Sequence, residues 1–517
     1  MNTFSKKSLS LALAGAVCGL GSIGAAHAVS VNADGLGQVL IYPYYTVRSK
    51  TIVGNLAAPY QSLLSVVNST GSAKAVKVRF LEGKLSREVL DFNLYLSKHD
   101  VWTAAIIPTA EGGAIITRDT SCTSPKVSSD ITNPTQFVNF GYTRSGAGNT
   151  EDGGDKSLDR TREGYIEVIE MGTISDEDLE EAVTHATGDD GWLPPDCDAV
   201  PVTQSQASGL FARPTGGLFG SITLVNVISG EDFALDPVAL EGFADEQIWA
   251  EPGSIRPNLQ NVTPKVSIVT SGNQTTITDW SVSGALQQDP VSAVLMHNTI
   301  YNEFVLDTNT LSATDWVVTM PTKGLYYTTQ ILNDDGVVVG VRPDRLFQRN
   351  FGSSGACDNV SLVVYDREER ERKVTTNFSP PPPTIGTSIC WEANVITFNG
   401  PGVLGSKNVS NLTAAAVPFE NGWAQMSFPT GASSLYSGNY HTLVGGPSTR
   451  ISVDPLGNIQ QTALTSTTFT GLPTIGFAAI TFQNKANDTP AGVVQSNYGG
   501  NLYHKGTRSI SGATAAP

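Results

Sequence analysis

The chain has 517 residues, 51 glycines, 28 prolines, 15% charged residues and a formal charge of −16 at pH 7. That acidity argues against nucleic acid, whose phosphates need lysine and arginine, and against anionic membrane surfaces as partners. The length allows two or three domains, and the Gly, Pro, Thr, Ser, Val and Asn content predicts many short strands joined by turns.

Met1–Ala28 reads as a secretory leader. Lys6 and Lys7 precede the apolar run Leu9–Val17, and small residues lead to Ala26-His27-Ala28. The run is too short to span a membrane, and cleavage after Ala28 is the expected processing. Losing the two leader lysines takes the formal charge from −16 to −18. The product is expected outside the cytoplasm: secreted, extracellular or at the cell surface, with the periplasm as an alternative. Four cysteines remain, Cys122, Cys197, Cys357 and Cys390. An even count in an exported chain predicts disulfides, and Cys122–Cys197 with Cys357–Cys390 keeps each pair inside one domain.

Asn32–Val47 is predicted to be a strand that Pro43 confines to an edge, where it would be free to pair with another protomer. Strands follow at Ser62–Asn68 and Ala75–Leu81. In Arg87–Ala104, Leu90, Phe92, Leu94 and Leu96 alternate with Val89, Asp91, Asn93 and Tyr95. That period of two predicts a half-buried antiparallel strand, followed by a Ser97–Asp100 turn and a strand carrying Trp102. Asn302–Val318 echoes this stretch: both contain Leu-Asp-x-Asn, then Leu-Ser-x-x-Asp, then Trp. The echo predicts one β unit used twice, with Trp102 and Trp316 as core anchors and Asp100 and Asp315 bonding turn amides. Ser175–Thr187 reads as the one helix, with Ser175 as N-cap and Gly188 as stop. Arg367–Lys373 reads as a solvated hairpin end, and Ser379–Pro383 as a stiff connector.

The predicted architecture is mainly β, with two or more antiparallel Ig-like β-sandwich domains and one short helix. The first domain is expected over 29–216 with the helix at 175–187, the second over 217–404, and a C-terminal β region over 405–517, separate or part of the second domain.

No HExxH, P-loop, GxSxG or helix-opening GxGxxG occurs, and no histidines are spaced as ligands. Asp91 and Asp307 cannot be promoted to a glycosidase pair without a spatial separation. The sharpest cofactor reading is calcium in the Gly-rich loop that holds Asp152, Asp155 and Asp159, with a second acidic cluster around Trp192. Solvated acidic loops are the plainer reading of both.

Several segments, among them Gly35–Val47, Val76–Ala104, Gly164–Gly172, Thr314–Lys323, Cys390–Asn399 and Ser496–Gly500, resemble a group of exported proteobacterial surface or secreted proteins of no known activity. The resemblance runs over most of the mature chain and carries over no activity, cofactor or catalytic residue. The expected function is an exported non-enzymatic surface, matrix or assembly protein, whose partners would be other copies of itself or envelope components. A carbohydrate- or calcium-binding module is the alternative, and a secreted hydrolase comes third.

Overall fold

A computed structural model describes residues 28–52, 56–143, 154–188, 191–282, 284–326, 330–332, 338–341, 346–348, 355–374, 387–400, 402–412, 417–432, 439–483, 487–489, 492–494 and 497–514. The leader up to residue 27 and the Ser379–Pro383 connector lie outside the described residues.

The chain is mainly β, and its sheets stack as sandwiches. In the first sandwich, one sheet runs in the order Val238–Glu241, Val39–Thr46, Glu163–Ile174, Lys74–Glu82, Glu88–Leu96, Cys122–Ser124. The facing sheet runs Gly113–Ile116, Val101–Pro108, Gln61–Asn68, Leu218–Asn226, Glu231–Leu235. Val76, Val78, Phe80, Phe92 and Leu94 of one sheet meet Leu64, Val66, Trp102, Ile222 and Leu224 of the other in a common core. Each such side chain contributes roughly 1.5–3 kcal/mol on burial, before chain entropy is subtracted.

The boundary expected after residue 216 falls inside this sandwich. Leu218–Asn226 pairs with Gln61–Asn68, and Val238–Glu241 pairs with Val39–Thr46. Long-range strand pairing, which no local pattern encodes, carries the first unit past Glu241. Val39–Thr46 is correspondingly not an edge strand: it lies between two neighbours and is buried throughout. Pro43 is accommodated because the register shifts between Gly164 and Ile166, leaving it opposite a bulge where a missing N–H breaks no ladder bond.

The half-buried reading of Glu88–Leu96 holds for one face only. On the other face Trp249 Nε1 donates to the Tyr95 hydroxyl (3.2 Å), Asn93 Nδ2 to Ala250 O (2.9 Å), and Gly253 N to the Asp91 carboxylate (3.1 Å). The segment following the first sandwich thus straps the strand's outer face.

The second sandwich sets a sheet ordered Glu371–Val374, Asp358–Asp366, Asn421–Ser427, Thr299–Val305, Lys505–Thr507 against one ordered Val409–Leu412, Ala393–Phe398, Ala313–Thr319, Ile475–Gln483, Asn497–Tyr503. The C-terminal region therefore belongs to the second unit, because its strands are interleaved with those of residues 299–398. One face of the Ala313–Thr319 sheet, with Trp316, Val318 and Phe398, packs inside this sandwich. The other face, with Val317, Val395, Phe477 and Ala479, joins the core of the first. Thr319 Oγ1 to Pro43 O (2.6 Å), Tyr60 OH to Val403 O (3.0 Å) and Lys407 N to the Glu163 carboxylate (3.0 Å) cross the junction. A smaller sheet of Val266–Ser271, Gln274–Asp279, Ser448–Val453 and Ile459–Leu464 flanks the second unit.

The echoed stretches share a crossing and little else. Glu88–Leu96 and Thr299–Val305 each sit in one sheet of a sandwich, and the next strand, carrying Trp102 or Trp316, lies in the opposite sheet. Their neighbours differ: Lys74–Glu82 and Cys122–Ser124 in the first case, Asn421–Ser427 and Lys505–Thr507 in the second. Leu90-Asp91 lies within its strand, whereas Asp307 follows Val305 and takes a turn bond from Asn309 N (2.7 Å). The strand order is not that of a duplicated unit.

The expected helix is shorter than predicted, Glu177–Val183, and its N-cap is Asp176, which accepts from Leu179 N (2.9 Å). Ala186–Gly188 instead pairs as a strand with Gly191–Leu193. A second helix, Asp289–Leu295 with proline in its first turn, leads directly into the short strand Met296–His297. Buried on all sides, it shows no periodicity to read. A third, Phe140–Thr143, is a single turn.

Candidate functional site

Many charged side chains are absorbed by the fold. Lys74 pairs with Glu170 (2.7 Å), Arg160 with Glu82 (2.8 Å) and Lys323 with Asp358 (2.8 Å), all essentially without solvent exposure. Lys77 pairs with Asp91, and Arg79 bridges Glu88 and Glu167. His441 is buried and held between Pro429 O (2.8 Å) and Asp358 (3.2 Å). In the charge run, Arg367, Glu368 and Arg370 lie at an exposed hairpin end, as expected.

The predicted calcium loop is only partly described, Asp152 lying outside. Asp155 accepts from the backbone N–H (2.9 Å) and hydroxyl (2.8 Å) of Ser157. Asp159 is bound by Arg48 (2.7 Å), Lys407 (2.9 Å) and Arg162 (3.2 Å). Burial opposes its ionisation, but the hydrogen bonds and charges of Arg48 and Lys407 bring its carboxyl down to about 2. Three cations hold the oxygens a metal would need. Of the acids near Trp192, Asp189 and Asp190 lie outside the described residues, and Asp196 accepts from Asp198 N (3.0 Å). Among the described residues no group of three or more His, Cys, Asp or Glu is gathered as a metal site. Cys122–Cys197 and Cys357–Cys390 are both disulfide-bonded.

Two concave sites are built from residues that sequence patterns did not join. One is a groove of about 510 Å³ on the first sandwich, lined by His99, Asp100, Arg118, Asp119, His185 and Trp192 among others. Its floor is the Ser97–Asp100 turn, where Ser97 N donates to Asp100 (3.1 Å). His185 Nε2 meets the Thr120 hydroxyl at 3.0 Å, and the Trp192 indole stands 65% exposed at the side. Trp102 and Trp316, by contrast, are fully buried.

The second is a cleft of about 320 Å³ between the sandwiches. Val31, Pro43 and Asp236–Val238 come from the first unit; Leu295, His297, Ile300, Thr474–Gly476, Tyr503, His504 and Arg508 come from the second. His504 is locked, with Nε2 donating to Val317 O (2.9 Å) and Nδ1 accepting from Asn302 Nδ2 (2.9 Å). Burial lowers its pKa to about 4, and burial together with Arg508 lowers that of His297 to about 3, so both rings are neutral. No sequence signal marks this cleft, since its residues span Val31 to Arg508.

No protein-family model matches the chain, and neither does any curated protein. Among solved structures, a leech intramolecular trans-sialidase complexed with 2,7-anhydro-Neu5Ac aligns over 89% of this chain and 91% of its own, at 10% identity and a TM-score of 0.08, too low to bear on fold or function.

Proposed function

We propose that the chain is an exported, non-enzymatic protein of the cell surface or extracellular matrix that assembles through an exposed strand edge. Two disulfides suit an oxidising compartment, and no described helix is long and apolar enough to cross a membrane. The observation that carries the reading is the strand Ile459–Leu464. Among the described residues it pairs only with Ser448–Val453, at the end of its sheet, and it is exposed along its first five residues. No charge or proline occurs from Gly457 to Leu472 in a chain of formal charge −16. Charge and proline are the usual devices that keep edges from pairing. A second copy of the same strand, antiparallel, satisfies both edges at once by two-fold symmetry.

Light scattering after size exclusion, with negative-stain microscopy, tests this on the secreted protein. Concentration-dependent dimers or larger assemblies are expected, and Thr462→Lys with Gln461→Pro, whose N–H faces the free edge, returns them to monomer while leaving the bonds to Ser448–Val453 in place. A wild-type protein that stays monomeric and never associates with the envelope or matrix refutes it.

The exposed Trp192 favours a second reading, carbohydrate binding in the groove, where an indole face stacks on sugar while Asp100, Arg118 and His185 offer polar contacts. A glycan array with wild type and Trp192→Ala separates the two: glycan binding lost in the variant supports this reading, and no binding by wild type removes it.

A further inference from the structure

Arg508 stands out in the cleft between the sandwiches. It is half-buried, its Nη1 donates to Met296 O at 2.9 Å, and no carboxylate pairs with it among the described residues. Every other deeply placed cation described above has an acid against it. A guanidinium withdrawn from water without a counter-ion is costly, and burial pulls the Arg508 pKa down to about 10. Beside it, the ring of His297, kept neutral by burial and by Arg508, lines the same cleft.

The rest of the wall is apolar: Val31, Val238, Leu295, Ile300 and Ile475. The volume, about 320 Å³, is at the lower end of what small-molecule sites enclose, roughly 300–1,000 Å³. Arg508 accepts one negative charge and no more. Asp236 stands exposed at the same cleft, with its backbone N–H and C=O held by the Tyr503 hydroxyl, and its carboxylate repels a second.

We propose that this cleft binds a small organic monocarboxylate, whose carboxylate meets Arg508 and whose hydrocarbon part lies on the apolar wall. A phosphate or dicarboxylate fits worse, because a second charge would be desolvated against Asp236 without a cation. The wall comes from both sandwiches, five residues from the first and nine from the second, so an occupant also ties the two units together. This inference is independent of the strand edge and of the Trp192 groove.

Octanoate, below its micelle-forming range, is the probe, with 1-octanol and inorganic phosphate as controls, read by calorimetric titration and thermal melting of the full mature chain. Octanoate is expected to bind one site per chain and raise the melting temperature, with 1-octanol and phosphate at least about tenfold weaker, as loss of a charge-assisted pair implies. Arg508→Gln is expected to weaken octanoate by a similar factor while leaving 1-octanol unchanged, and Arg508→Lys to recover part of the loss. The proposal is overturned if octanoate does not bind, if 1-octanol binds as well, or if Arg508→Gln keeps full octanoate affinity. Should the variants fail to fold, the octanoate–octanol comparison on wild type still decides it.

Discussion

The backbone N–H of Leu404 donates to the buried carboxylate of Asp315 at 2.9 Å, joining two residues 89 positions apart. Val403 N (2.8 Å) and the Thr397 hydroxyl (2.6 Å) complete the cradle. Asp100 does bond its own turn, but Asp315 lies inside a strand and holds a distant loop instead.

Burial outweighs these donors and pushes the Asp315 carboxyl up from its ordinary 3.8 to about 6. The folded chain therefore binds this proton more tightly than the unfolded one. Its contribution to stability is full below the unfolded pKa and is lost as pH rises through about 6. The loss is on the order of 2–3 kcal/mol. Asp315→Asn should flatten the stability profile between about pH 4 and 6, measured as urea midpoints at a series of pH values. A variant whose profile runs parallel to wild type would show that Asp315 is not the group responsible.

The two core tryptophans should respond differently to the same change. Trp102 packs on Phe92 with ring centroids 5.5 Å apart, and its indole N–H has no partner among the described residues. Trp316 packs on Phe398 at 5.2 Å, and its N–H donates to Glu303 O at 3.0 Å. Truncation of either to alanine should cost about 3–5 kcal/mol. Phenylalanine at 316 should cost about 1 kcal/mol more than at 102, because Glu303 loses its donor. Equal losses in denaturant titrations would contradict the assignment.

Lys74 and Lys98 test what burial does to an ion pair. Lys74 and Glu170 have no exposed side-chain surface, while Lys98 and Glu180 are 3.9 Å apart and 54% and 34% exposed. Lys74→Met leaves a buried carboxylate unpaired and should cost about 3–5 kcal/mol. Lys98→Met should stay within about 0.5 kcal/mol of wild type. Similar midpoints for the two variants would mean that the Lys74 pair is solvated in solution.

Cys122–Cys197 closes a loop of 75 residues and Cys357–Cys390 one of 33. On the chain-entropy account each contributes about 4 kcal/mol, the longer loop by less than about 1 kcal/mol more. Paired alanine substitutions, compared by thermal melting, should destabilise in that order. Non-reducing peptide mapping checks the pairing itself, and any cross-paired peptide would refute it.

The groove beside Trp192 and the Arg508 cleft show why the sites were illegible. The first unites the turn at Asp100, the stretch around Arg118 and the hairpin at Trp192. The second unites chain ends separated by most of the sequence. Neither has a local spacing to find. The Leu-Asp-x-Asn echo misled for the opposite reason: its letters repeat, while the strands around them pair with different neighbours.

What the sequence determined by itself was local. Alternating residues marked strands such as Glu88–Leu96, because a pleated chain turns successive side chains to opposite faces. Cysteine count and placement anticipated both disulfides. The tertiary structure alone decided which strands are edges, where the first sandwich ends, and which charges are neutralised. Val39–Thr46 is central and Ile459–Leu464 exposed because hydrogen bonds between distant strands, and the junction of two sandwiches, select the neighbours. Those choices depend on packing that no window of sequence contains.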